Sequence, residues 1–427
     1  MIRQASPNFK EMLKVDPKSP DGVRAPKPGE IMKNPTLAET FRTLATEGKK
    51  GFYTGRIAEE LVKVVKDSGG CLELEDLQHH LETGSEPVEP ISLKFRGQGV
   101  AKILRDGVTS NDSPSSDFGV ELWEHPPNGQ GIVALMALGI IQELELAGKI
   151  PTFQPGDFNS AAYLHAIIES LRLAFADGSW FVTDPNVEKV PQASMISKEY
   201  LAERAKLFDP SKASDVSHHG SPAFSSSDTV YFAVSDSEGN AISFINSNYD
   251  GFGTCIIPKG CGFTLQNRGA GFSLDPEHPN AMAPRKRPYH TIIPGAVTNI
   301  HDGSLHSVFG VMGGFMQPQG HVQVLLGQIV GGLNPQQALD APRICIGPGV
   351  PDAKGVVDHA VYVEDGMGEE TIEGLKKLGH SVHVLTGFDR SKFGRGQIIR
   401  WSVDPVESKG IWSAGSDPRG DGCAFPL

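Results

Sequence analysis

Between residues 225 and 248 the chain reads SSSDTVYFAVSDSEGNAISFINSN, a run of small polar residues followed by two β-prone runs around a turn. TVYFAVS and AISFINS are rich in β-branched and aromatic residues, and Asp236-Ser237-Glu238-Gly239-Asn240 between them is turn-forming, so a β-hairpin is predicted. Its first strand residue is Thr229, and the polar run ending at Asp228 supplies an accessible loop where the chain can be strained and cut. Cutting the Asp228–Thr229 bond gives Thr229 a free α-amino group within reach of its own hydroxyl. That pairing of weak nucleophile and local base is one way to activate a threonine. An α-amine titrates at about 7.7 to 8.0, so much of it can accept a proton near neutral pH. The ordinary reading is a β-branched residue opening a strand, and the hairpin alone favours it.

Working outward, the chain ahead of the hairpin is predicted mainly helical and the chain after it mainly extended. NPTLAETFRTLATEG reads as a helix capped by Asn34, started by Pro35 and ended by Gly48, with Leu37, Phe41, Leu44 and Ala45 as its apolar face. A second helix carries Ile57, Leu61, Val64 and Val65, and two more, over residues 131–146 and 161–176, have nearly continuous apolar faces. Residues 100–119 are Ser/Asp/Asn-rich in their second half and read as an inserted loop. Further strands are expected at 262–268, 304–311, 359–365, 380–385, 396–403 and 410–416, and helices at 319–330 and 369–378. Such segregation suits layered α and β elements, an α+β class, better than a doubly wound sheet.

A chain of 427 residues with 39% hydrophobic content can bury a large core. Its net charge of -12 argues against nucleic acid or an anionic membrane as the main partner. Cys71, Cys255, Cys261, Cys345 and Cys423 form no zinc-like spacing, so free thiols and no metal are expected. The histidines, His79-His80 and His218-His219 among them, show no metal spacing either. The first residues lack an apolar signal core and no run reaches transmembrane length, which makes the cytosol the expected compartment.

Two other stretches can carry chemistry. In FGVMGGFMQPQGH an apolar strand ends at Gly313-Gly314 and leads into a helix; glycines there let backbone N–H groups approach a ligand, as an oxyanion hole requires, although paired glycines are also common punctuation. Residues 267–295 combine Arg268, Arg285, Lys286 and Arg287 with Gly and Pro, an irregular loop suited to an anionic substrate. For Arg285 and Lys286 a solvated basic surface is an equally good reading.

Together and in this order, DTVYFAVSDSEGNAISF, GFGTCIIPKGCGFTLQNRG, APRKRPYHTIIPG, GVMGG and SAGSDPRGDG resemble the γ-glutamyltransferase family of N-terminal-nucleophile hydrolases, with PPNGQGIVALMAL, LRLAFADG and EYLAERA similar to its large-subunit helices. The resemblance implies a four-layer αββα sandwich, no cofactor, and a precursor that cuts itself before Thr229 into associating fragments, residues 1–228 and 229–427. It implies Thr229 as nucleophile, with its freed amine as base, Ser247 as a neighbouring hydroxyl, and the N–H groups of Gly313 and Gly314 as oxyanion donors. The implied substrate is a small γ-glutamyl amide such as glutathione, whose acyl group passes through an acyl-threonine to water or to an amino acid or peptide.

Three departures mark the chain. Arg268-Gly269-Ala270-Gly271 follows Asn267 where members place an acid for the glutamyl amino group. His290 and Thr291 stand at the positions of a serine pair after Lys286-Arg287-Pro288, and Tyr249 stands where an asparagine is expected. The chain also begins after the family's N-terminal portion, which is expected to leave sheet edges exposed. The pocket residues implied by position are therefore Tyr249, Asn267, Arg268, Arg287, His290 and Thr291. Three readings follow: a γ-glutamyl hydrolase/transferase, an acylase for a non-γ-glutamyl acyl group such as glutaryl, or an inactive family remnant.

Overall fold

A computed structural model describes residues 1–96, 119–214, 227–347, 360–404 and 406–426; most of the expected insert at 100–119 lies outside them. The chain divides into two units, residues 1–88 with 248–267, and residues 89–247 with 268–427. The covalent boundary expected at Asp228–Thr229 falls inside the larger unit, so the two divisions differ.

In the smaller unit α1 (Pro35–Tyr53) starts as predicted, with the Asn34 side chain accepting from Leu37 N–H and Pro35 in the first turn. Gly48, at φ +62° and ψ -153°, ends the first helical stretch as expected, and a second stretch continues beyond the kink to Tyr53. The expected apolar face is not the buried one: Phe41 is 60% exposed, whereas Thr40 is buried and donates to Cys261 O. The reason is that the irregular segment beside α1 carries backbone carbonyls that need donors. Asn34 Nδ2 reaches Gly262 O at 2.7 Å, and Arg56 reaches Gly260 O at 2.9 Å. Packing comes from α2 (Gly55–Asp67), whose Ala58, Leu61 and Val62 cluster with Leu77 of α3 (Leu74–Thr83). The strand expected at 262–268 does not form. Gly262 is at φ +69° with its N–H held by Glu11, and isolated bonds between Thr254 and Leu265 and between Leu265 and Ile256 replace a ladder.

The larger unit is built on a six-stranded antiparallel sheet from β1 (Ile91–Phe95), β2 (Val120–Glu124), β5 (Gly295–Asn299), β6 (Leu305–Met312), β10 (Arg395–Val403) and β11 (Gly410–Ser416), in the order β11-β10-β6-β5-β2-β1. The first half is mainly helical as expected, but it also supplies two strands that were not expected, β1 and β2, which alternate buried and outward positions and complete the sheet. One face carries α4 (Gly131–Leu146) and α7 (Met316–Ile329), with α5 (Ala161–Phe181) and α6 (Lys198–Ala205) against α4. Nearly every residue of α4 and α7 is buried, so both are core helices rather than amphipathic ones.

On the sheet's other side lies the predicted hairpin, β3 (Ser227–Ser235) and β4 (Ala241–Asp250), with β3 against β6 and β10. Its turn is held by Asp236, whose carboxylate accepts from Glu238 N–H, Asn240 N–H and Asn240 Nδ2. Helices, sheet and hairpin give three layers of an αββα order, and the hairpin's outward side chains are exposed.

A smaller sheet holds β7 (Ile344–Ile346), β8 (Ala360–Glu364) and β9 (Ser381–Leu385) in the order β9-β8-β7, and α8 (Pro335–Asp340) and α9 (Glu369–Lys377) complete the described elements used below. The terminal SAGSDPRGDG segment is anchored by a buried ion network. Asp417 accepts from Arg343 at 2.7 Å and from Gly396 N–H at 2.8 Å, and Arg419 joins Glu364. Burial favours neutral carboxyls, but the guanidinium partners prevail and hold Asp417 and Glu364 below the usual range. All five cysteines are free, and among the described residues no helix is long and apolar enough to cross a membrane.

Candidate active site

Thr229 sits on the inward face of β3, 3% exposed, and its Oγ1 donates to Ser247 Oγ on β4 at 2.9 Å. The hairpin register explains the pair, since antiparallel strands place side chains of one face opposite each other. Two residues along the same face, Tyr231 lies flat on Gly310 of β6, where an added Cβ would stand 2.4 Å from its ring. The Tyr231 hydroxyl meets Ser243 Oγ at 2.8 Å, and burial pushes its phenol well above the ordinary range. Hydroxyls thus pair across the inward face, with Ile245 buried between Ser243 and Ser247 on the same side.

Gly313 and Gly314 close β6 ahead of α7 at φ +138° and +61°. A Cβ on Gly313 would lie 3.1 Å from Met316 Cβ and 3.2 Å from Gly394 Cα, which together with the positive φ explains the glycine. Their carbonyls accept from Met316 N–H and Gln317 N–H in the first turn of α7. Among the described residues their own N–H groups donate to no protein acceptor, the arrangement an oxyanion site needs.

The loops around this turn are tied together by residues that sequence reasoning did not single out. Gln130, fully buried, donates from Nε2 to Thr291 O (3.0 Å) and Gly314 O (2.8 Å) and accepts from Tyr289 Oη (3.0 Å). Asn128 donates to Pro288 O, and Asn280 donates to Gly271 O and accepts from Tyr289 N–H. The available signal was their type: polar amides in PPNGQG and HPN, directly beside apolar or proline-rich sequence, are buried only when bonded.

Of the expected pocket residues in the larger unit, Arg268 donates from Nη1 to Thr291 Oγ1 at 2.8 Å, and Thr291 is fully buried. His290 exchanges backbone bonds with Asn128 and Gln130; its Nδ1 is out of solvent and, among the described residues, has no hydrogen-bond partner. Burial, then the charge of Arg268, lowers the His290 imidazole to about 3, so it is neutral at working pH. Arg287 holds Asp184 through Nε (3.1 Å) and Nη2 (2.8 Å), a fork that fixes the loop. Burial raises the Asp184 carboxyl, but Arg287 outweighs it and keeps the group below its usual range. Lys286 is buried and donates to Pro279 O, which corrects the reading of a solvated basic surface at that position.

Tyr249 and Asn267 belong to the smaller unit. Tyr249 is buried at φ +78°, and Asn267 grips Asp250, accepting from its N–H at 3.0 Å and donating to its carboxylate at 2.6 Å. Asp250 is an acid that attention to the loop after Asn267 missed.

A buried trio, His165, Glu169 and His380, has metal-ligand atom types within reach of one another. Its groups are already engaged: His165 bonds Asp209 O and His380, and Arg172 donates to Glu169 and lies 3.4 Å from His380 Nδ1. A guanidinium in that position opposes a cation, so the trio reads as a packing cluster.

The chain is 31% identical over 95% of its length to a glutathione hydrolase-like proenzyme of Bacillus subtilis, and 32% identical over 94% to an oxamate amidohydrolase proenzyme of Klebsiella pneumoniae. It covers 68% and 66% of those two relatives. Among solved structures, a cephalosporin acylase from Bacillus halodurans superposes with a TM-score of 0.73 at 36% identity, over 93% of this chain and 63% of that one. The fold is accordingly the α+β fold of the N-terminal-nucleophile hydrolases. The Gamma-glutamyltranspeptidase family pattern runs through residues 2–427, and the chain belongs to that family.

Proposed function

We propose that the protein is a self-processing threonine amidohydrolase and acyltransferase. The observation that carries this reading is Thr229 on the buried face of a hairpin strand, near its start, its hydroxyl oriented by Ser247. In the precursor, Thr229 Oγ1 adds to the Asp228 carbonyl, the C–N bond breaks as nitrogen takes a proton, and water hydrolyses the resulting ester. The products are the Asp228 carboxylate and a Thr229 bearing both amine and hydroxyl. The fragments stay associated because β2 of the first pairs with β5 of the second inside one sheet.

In the mature enzyme the amine takes the Thr229 hydroxyl proton as Oγ1 attacks a substrate amide, and Gly313 and Gly314 N–H groups receive the oxyanion. The proton then passes to the leaving amine, and water or an acceptor amine removes the acyl group. γ-Glutamyl amides are the first donor class, in line with the glutathione hydrolase-like relative.

A second reading, an acidic acyl group without an ammonium, is favoured by Arg268 bonded to Thr291 beside a neutral His290. A guanidinium supports a carboxylate there and opposes an ammonium. The oxamate amidohydrolase relative, whose named substrate is an acid, is in line with that chemistry.

The test is intact mass and N-terminal sequencing, followed by γ-glutamyl anilide, glutaryl anilide and oxamate as substrates. Two chains, one beginning at Thr229, with turnover of at least one substrate, are expected. A single chain that stays uncut on long incubation and turns over none would identify an inactive remnant.

A further inference from the structure

We infer that Gln130 is a positioning residue that couples the acyl pocket to the oxyanion turn, an inference that rests on the amidohydrolase reading for its catalytic meaning but not for its geometry. Gln130 precedes α4 and is fully buried. Its amide orientation is fixed by chemistry, because Thr291 O and Gly314 O only accept and so must both face Nε2, while Tyr289 Oη donates to Oε1. Both donors and the acceptor are used.

Each bond constrains something different. Gly314 O also accepts from Gln317 N–H, so its carbonyl is clamped between Gln130 and the first turn of α7. That fixes the peptide plane between Gly314 and Phe315 and so anchors one side of Gly314, while the plane that carries the Gly314 N–H is held through its Gly313 carbonyl, which accepts from Met316 N–H. On the other side Gln130 holds the carbonyl of Thr291, whose hydroxyl takes the Arg268 hydrogen bond. Tyr289, whose ring stacks near Phe315 at 5.8 Å, closes the arrangement from above the turn. One amide therefore joins Arg268, through Thr291, to Gly314. An acyl carboxylate drawn to Arg268 shifts Thr291, and Gln130 passes that shift to the turn that must receive the oxyanion.

The experiment is a double-mutant cycle of Gln130→Met and Thr291→Val, read by kcat, KM and hydrogen exchange at residues 313–315. Met keeps the volume and removes all three bonds, and Val removes the hydroxyl while keeping the carbonyl. Gln130→Met is expected to lower kcat about 100-fold, the scale of a displacement on the order of 1 Å at a reacting centre, with KM changed about threefold or less. It should also speed exchange at 313–315.

The decisive arm is coupling: Thr291→Val should perturb kcat and exchange at 313–315 in the wild-type background and not in Gln130→Met. Independent, multiplicative effects would overturn the proposal, as would unchanged exchange in Gln130→Met. If Gln130→Met does not fold, Gln130→Asn, which shortens the reach without removing the amide, should show the same kcat loss with a native melting profile. Should the wild type be inert on every amide, the amidohydrolase reading fails while the exchange cycle still decides the coupling.

Discussion

On the inward face of the β3–β4 hairpin stand Thr229, Tyr231, Ser243 and Ser247, with Ile245 between the serines, whereas the outward face carries Val230, Phe232, Val234, Ile242 and Phe244, between 46% and 65% exposed. The usual half-buried hairpin has the reverse arrangement, apolar inward and polar outward. Hydroxyls tolerate the interior here because they satisfy one another and because Gly310 leaves room for the Tyr231 ring. The difference teaches that the inward face is chosen for chemistry and the outward one for burial, with no described residue covering it.

The sharpest way to break this comparison is at Thr229. Thr229→Ala should abolish self-cleavage and lower any amide turnover at least about 10³-fold, while Thr229→Ser keeps a hydroxyl and an amine and should retain both. Val230→Thr, one residue away on the other face, should leave both intact. Mass spectrometry of the purified chains and anilide kinetics read all three, and a cut Thr229→Ala chain would remove the threonine from the mechanism.

Acid acts next, on the larger unit in which the hairpin sits. His290, His306 and His380 in the larger unit are lowered to about 3, 4 and 3, each first by burial, whereas an unfolded histidine titrates near 6.5. Between those values the unfolded chain binds protons that the folded one refuses, so their contribution is full above about 6.5 and is lost as pH falls toward 4. Asp417 and Glu364, held below the ordinary range, add a second loss below about 4. Thermal melts should fall between pH 7 and 4.5. A flat profile there would mean these histidines are protonated in the fold.

Gly310→Ala tests the seat of the inward face. The new Cβ would meet the Tyr231 ring at 2.4 Å, and strain of this kind costs about 1–3 kcal/mol. Urea unfolding should show the loss, and self-cleavage should slow because Thr229 shares that strand face. Unchanged stability would show that the hairpin rides loosely on β6.

Much of this was legible in the sequence and some was not, for physical reasons. The hairpin, α4 and the Gly313–Gly314 turn could be read because a turn signal, a long apolar run and a chemical need for N–H donors each leave a local trace. Which hairpin face turns inward could not, since TVYFAV alternates hydroxyl and apolar residues and only the distant Gly310 decides between them. Strands β1 and β2 were missed because five alternating residues between helices carry a weak signal until a sheet supplies partners. The face of α1 was misread because its partner is a set of backbone carbonyls, which apolar periodicity does not encode. Gln130 was passed over for the same reason, its partners lying far away in the chain, and Asn280 because its nearby partners are loop backbone groups that side-chain patterning does not encode.

The smallest effect belongs to the outward face. Phe232 and Phe244 stack at 4.8 Å and 26° while remaining 46% exposed, so the pair has only part of the value of a buried one. Phe232→Ser should therefore cost no more than about 1 kcal/mol, the upper range for a cross-strand pair. It should also reduce binding of a hydrophobic dye and self-association, since it breaks up an exposed apolar patch. Self-cleavage and kcat/KM should stay within about twofold of wild type, because Thr229 and Ser247 meet on the opposite face. A large loss of activity with stability intact would mean that the outward residues hold the inward ones in register, and the separation of the two faces into chemistry and burial would fail.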